Sequence, residues 1–173
     1  MNSHRFEFDF VEKEVRRRTF GVLTTIDSEG RPHSTGILYG VAPPQSQFAL
    51  YMLSVKSYAK VKNIRRNPNT SLVVTFPHHY LRFVPANYAM FRGTSEIVPF
   101  DDEDGQWAFR QHRILRFNIT SASEETRQNG VFIKLVPEPK LFCYGLGMSI
   151  MEIRKNHEAG SYKVEIPEAR LAS

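Results

Sequence analysis

Cysteine is nearly missing from this chain. Cys143 is the only one in 173 residues, which rules out an intramolecular disulfide and fits a reducing compartment. No apolar run approaches the roughly 20 residues that a membrane-crossing helix needs, so no membrane span is expected. The opening residues, Met1 to Glu7 (MNSHRFE), lack the apolar stretch of a signal peptide, and a cytoplasmic location is the expectation. The six histidines show no metal-ligand spacing with acidic partners; the adjacent His78 and His79 read as an exposed loop. No Ser/His/Asp arrangement or carboxylate pair is placed for hydrolysis, so no catalytic side chain is assigned. Recognition-helix, RNA-binding aromatic and zinc-finger patterns are also missing. The formal charge of +5, from 23 Lys+Arg against 18 Asp+Glu, therefore favours anionic small molecules over nucleic acid.

What is present reads as one globular domain, with 41% hydrophobic and 24% charged residues. Its core spans about residues 18 to 147, followed by a polar extension over 148 to 173 that is expected to cross a partner subunit or fray. A helix is predicted over Asp9 to Arg18, acidic early and basic late. The segment Phe20 to Ile26 (FGVLTTI) predicts a strand. A turn at Asp27-Ser28-Glu29-Gly30 returns it as Arg31 to Val41. After the loop Ala42 to Gln47, an apolar run from Phe48 to Leu53 predicts a buried strand, and Thr70 to Phe76 (TSLVVTF) another. The stretch Arg82 to Val98 alternates and is aromatic (Phe83, Tyr88, Phe91), with regular structure expected after Pro85 and a bulge at Gly93. Asp101 to Phe117 predicts one helix with an acidic start, containing Trp107. Val131 to Val136 and Lys140 to Tyr144 complete the strands, and Gly145 and Gly147 end the last. With no βαβα alternation, the fold class is mainly β: a small, mostly antiparallel barrel of at least six strands with peripheral helices, which the resemblance described below makes a six-stranded antiparallel split barrel.

Between the strands at Phe48 and Thr70 lies a short basic helix. Ser54 or Ser57 is the expected cap, Tyr58, Val61 and Ile64 recur at helical spacing, and Asn67-Pro68 stops it. Arg65 and Arg66 at its end complement the helix dipole, but Lys56, Lys60 and Lys62 crowd its positive start. An anion bound there would remove that conflict, because free backbone N–H groups, dipole and lysines all favour it. A solvated basic helix face accounts for the same residues.

Three local patterns resemble the pyridoxamine 5′-phosphate oxidase-like family of FMN-binding split barrels. The hairpin Thr24-Thr25-Ile26-Asp27-Ser28-Glu29-Gly30-Arg31-Pro32-His33 is similar to the family's opening signature. The run Phe48-Ala49-Leu50-Tyr51-Met52, then Lys60-Val61-Lys62-Asn63-Ile64-Arg65-Arg66-Asn67-Pro68, resembles its Ser-Arg-Lys-x-x-Asn-Leu-x-x-Asn-Pro segment. Gly93-Thr94-Ser95-Glu96 resembles its Gly-x-Ala/Ser-Glu element. The resemblance implies a homodimer with FMN at the interface and hydride transfer to or from a small molecule. It implies that Thr35, Gly36, Ile37 and Leu38 border the ring from one strand, and Tyr51 and Met52 from another. Lys60 falls at the phosphate lysine, assisted by Lys56 or Ser57, and Asn87 and Tyr88 approach from the other subunit. Ala59 replaces a frequent arginine, and no pyridoxal-site motif is recognisable in Ser161 to Ser173, so that substrate is not expected. Deazaflavin F420 or haem on the same fold, or a non-catalytic flavin or nucleotide module, are the alternatives. Each residue also has a plain reading: a tight bend at Gly36, core packing for Tyr51, Met52, Trp107 and Cys143, and interface or core for Tyr88.

Overall fold

Six antiparallel strands of the computed structural model close on themselves, in the order β1-β2-β3-β6-β5-β4 with β4 returning to β1. They are β1 (Phe20–Ile26), β2 (Pro32–Val41), β3 (Leu50–Val55), β4 (Asn69–Phe76), β5 (Asn87–Pro99) and β6 (Gly130–Pro137). Two more, β7 (Lys140–Tyr144) and β8 (Ser161–Glu165), extend the wall outward from β5. Helices α1 (Phe8–Arg16), α2 (Ala59–Arg66), α3 (Glu103–Arg110), α4 (Arg113–Thr120), α5 (Glu124–Asn129) and α6 (Ile150–Lys155) lie around it. The structure describes residues 7–77, 86–155 and 158–171; the sequence readings at His78, His79, Phe83, Pro85 and His157 lie outside them.

The first hairpin shows how local chemistry sets register. Asp27 Oδ1 accepts from the backbone N–H groups of Glu29 and Arg31, and Gly30 takes a φ of 77°. The Arg31 N–H holds the Asp27 carboxyl below its ordinary range. From this turn β1 and β2 pair without interruption, Ile26 on Pro32 through Phe20 on Leu38. Alternation then sends Leu23, Thr25, His33, Thr35, Ile37 and Tyr39 inward, and Phe20, Val22, Ser34, Gly36 and Leu38 outward.

Two cores result. Inside the barrel are Leu23, Tyr39, Leu50, Met52, Leu72, Phe91 and Ile133, and the Tyr39 hydroxyl donates to Val15 O at 2.7 Å, fastening α1 over one end. Outside β3 and β6, Tyr51 and Phe132 pack against Phe109 and Leu115 of α3 and α4. That second core explains why Asp101 to Phe117 is two helices and not the single one expected. In a continuous helix Phe109 and Leu115 would diverge by about 120° around the axis. The break at Gln111 and His112 brings both onto Phe132's cluster.

Other expectations need correction. Gly93 is no bulge: it pairs with Thr70 on one side and Pro137 on the other. A Cβ there would collide with the Val136 carbonyl, so glycine permits close strand approach. The irregularity falls on the opposite strand, where Glu138 and Pro139 stand between β6 and β7 along the same edge of β5. Neither expected serine caps α2: Tyr58 is the N-cap and makes no side-chain cap bond, while Ser54 belongs to β3. Within the C-terminal extension, residues 161–165 form β8, paired along β7. Helix α5 has no buried residue and hence no periodicity by which a sequence reading could find it.

Candidate cofactor site

Strands β2 and β3 share only three register pairs, Val41 with Leu50, Gly40 with Tyr51 and Tyr39 with Met52. Beyond these β2 stays on β1, while β3 follows β6 through Val55. The barrel is therefore open between Thr35–Leu38 and Leu53–Val55. Three buried polar atoms on the inward faces of these strands have no hydrogen-bond partner among the described residues: His33 Nδ1, Thr35 Oγ1 and Ser54 Oγ. An unsatisfied buried polar group costs about 1–3 kcal/mol, so each of the three would gain from a polar partner, water or ligand.

Helix α2 packs its buried Val61 and Ile64 into the barrel core, against β1 and β5. Its buried Asn63 donates to Thr25 Oγ1 at 3.0 Å, and Thr25 is the register partner of His33. The same Asn63 accepts from Arg66 at 2.8 Å. Lys60, in the first turn, is half-buried with Nζ 5.7 Å from the centre of the Tyr58 ring. Burial holds its pKa below the usual lysine value. Among the described residues no carboxylate forms an ion pair with it. A partly desolvated, unpaired cation at a helix start without a side-chain cap would be stabilised by an anion.

The other sequence-predicted residues divide. Ile37 and Thr35 point inward beside the opening, and Gly36 and Leu38 point outward. The Phe20 ring lies over Gly36, where a Cβ would stand 2.8 Å from Phe20 Cζ, so that glycine accommodates an aromatic side chain. Ser57 is exposed next to the α2 N-cap. Lys56 turns to a different cleft, where Nζ donates to Gln128 O. Tyr51 and Met52 have side chains in the outer and inner cores, 2% and 0% exposed, and the structure does not bring them to the opening. Burial, then Asp102 and neighbouring carboxylates, raise the Tyr51 hydroxyl pKa. Asn87 is buried with Oδ1 unpartnered, packed against Gly145, and Tyr88 stacks on Tyr144 at 5.7 Å. Both lie on β5, three strands from β2 and about 14 Å away at sheet spacing, so within one chain they do not meet Gly36.

The outer face carries an apolar row, with Arg92 and Lys163 over its Phe142 end. Gly36, Val22, Val73, Met90 and Phe142 form one register row across five strands, flanked by Phe20, Tyr88 and Tyr144. Phe20 is 55% exposed, and Val22 and Tyr88 36%. Sequence reasoning met His33 and Asn63 only within family motifs and Ser54 only as a helix cap; the signal for their buried placement was a polar residue at an inward strand or helix position. Among the described residues no three metal-ligating side chains converge, and no helix is long and apolar enough to cross a membrane.

A profile of the family described as pyridoxamine 5′-phosphate oxidase matches residues 9–139. Among solved structures the chain is similar to the haem storage protein of Vibrio cholerae, with 22% identity and a TM-score of 0.62 over 81% of this chain and 96% of that one. It is similar to a candidate pyridoxamine 5′-phosphate oxidase of Listeria innocua, with 20% identity and a TM-score of 0.57 over 78% and 95%. An F420 reductase gives 20% identity and a TM-score of 0.52 over 73% and 92%. At such identities these structures share the fold alone.

Proposed function

Since the chain belongs to the pyridoxamine 5′-phosphate oxidase-like family, we propose that it is a cytoplasmic FMN-dependent oxidoreductase that works as a homodimer. The observation that carries this reading is the unpaired, partly desolvated Lys60 beside an opening lined by unsatisfied Thr35 and Ser54 hydroxyls. Lys60 and the open N–H groups of the first α2 turn would hold the phosphate, with Ser57 alongside. Thr35 and Ser54 would take the polar chain, and Ile37 and Leu38 the edge of the ring. The apolar row of the outer face would meet a second copy, bringing the partner's Tyr88 toward Gly36, with Phe20 swinging aside. FMN, when bound, supplies hydride transfer; the protein's share is to position it, exclude water and place charge.

Co-purified chromophore, identified by mass and absorption after release, tests the cofactor. FMN and riboflavin titrations of Lys60→Ala test the site. FMN should weaken at least about tenfold more than riboflavin, the scale of one charge-assisted contact. Equal losses would remove Lys60 from the phosphate. A second reading keeps the fold and changes the ligand to F420 or haem. Haem is favoured by one feature, the buried and unpartnered His33 Nδ1, which an iron could use. A Soret band lost in His33→Ala would establish it.

A further inference from the structure

Away from the β2–β3 opening, a cleft of about 500 Å³ lies where β3 ends, β5 ends and β6 begins. Three cations from three elements line it: Lys56 before α2, Arg65 in the last turn of α2, and Arg127 in α5. Its apolar wall comes from Ile97, Phe100 and Val131, the last two nearly buried. Lys60 is not part of it. Arg65 and Arg127 each sit well for their own helix dipole, which accounts for their presence but not for their convergence. Among the described residues none of the three cations has an ion-pair partner, and Asp101 is the single carboxylate in the lining.

The rim is held in place. The Lys56 backbone N–H donates to Asn129 O at 2.9 Å and its ammonium group to Gln128 O, tying the start of α2 to the end of α5. Arg127 Nε donates to Ala122 O at 3.4 Å. At Gly130 a Cβ would collide with Thr126 O and the Phe100 ring, so the floor is closely packed. Apolar wall and uncompensated cations together select a ligand with both characters, and the volume suits a small molecule. We infer that this cleft binds a small organic anion: an aromatic or aliphatic body against Phe100 and Ile97, its carboxylate, sulfonate or phosphate facing Arg65 and Arg127. The site is separate from the FMN reading and does not depend on it.

The probe pair is 8-anilinonaphthalene-1-sulfonate and its uncharged counterpart N-phenyl-1-naphthylamine, titrated by fluorescence into the full chain. Arg65→Ala/Arg127→Ala should weaken the sulfonate about tenfold, as expected for two partly exposed charges, and leave the neutral probe unchanged. Asp101→Asn should tighten the sulfonate. Lys60→Ala should not alter it, whatever happens to FMN. Both arginines are exposed at helix ends, so the double variant is expected to fold, and an unchanged melting curve checks this. An unchanged ratio of the two affinities in the double variant overturns the proposal; so does a sulfonate loss in Lys60→Ala equal to that in the double variant.

Discussion

Arg170 grips Glu12 with both terminal nitrogens, at 3.2 and 3.1 Å, although 158 positions separate them in the chain. Glu12 also accepts from Arg16 at 2.6 Å and is itself 8% exposed, while Arg16 and Arg170 reach the carbonyls of Ala42 and Ser46. One buried carboxylate thus joins α1, the β2–β3 loop and the end of the chain. Removing one partner of such a cluster leaves charge uncompensated. Arg170→Ala should cost about 1–2 kcal/mol, less than for an isolated buried pair because Arg16 remains. Glu12→Ala should cost more, since two arginines are stranded. Urea denaturation would check the order, and a smaller loss for Glu12→Ala would contradict it.

Lys60 predicts a pH dependence. Its ordinary pKa of 10.5 is lowered by burial. Between the lowered value and 10.5 the unfolded chain binds more protons than the folded one, so in the ligand-free protein this group's penalty is relieved as pH rises. Phosphate binding runs the other way, because it needs the ammonium form. FMN affinity of the wild type should decline in the alkaline range, starting below pH 10.5, and converge on that of Lys60→Met. Parallel curves for the two proteins would show that the lysine's charge plays no part.

Thr35 and Ser54 separate stability from binding. Each hydroxyl is buried without a partner, so Thr35→Val and Ser54→Ala should leave the ligand-free protein as stable or raise it by about 1 kcal/mol. Both should weaken FMN. Melting curves with and without ligand read the two effects separately. Variants that are destabilised yet bind FMN normally would show the hydroxyls to be structural.

The apolar outer face predicts the assembly. Val22→Lys puts a charge beside Gly36 in the register row from Gly36 to Phe142, on a side chain already 36% exposed. The monomer should keep its fold, while sedimentation should show loss of the dimer and FMN should be lost with it. A Val22→Lys dimer with full flavin content would place the interface elsewhere.

Much of the barrel could be read from the chain because its signals are local. The Asp27–Gly30 turn, the period of two in Phe20 to Ile26 and the Asn67-Pro68 stop act over a few residues, and β1, α2 and β4 end near where they were expected. Gly93 shows the limit. Its glycine was visible and its reason was not, because the Val136 carbonyl that excludes a side chain arrives from a strand more than forty residues later. The α3–α4 break has the same origin, in a core that includes Phe132.

The candidate site residues divide along the same line. The dipole conflict marked Lys56, Lys60 and Lys62 together, and the family resemblance singled out Lys60 among them. Composition, alternation and turn residues were enough to specify a mainly β barrel with a basic helix. Tertiary structure decided where β3 parts from β2, that Lys56 lines a cleft without Lys60, and that the Thr35 and Ser54 hydroxyls are both buried without a partner. Pairing register, burial and the parting of β3 from β2 are set by long-range contacts, and none of these is written in a residue's immediate neighbours.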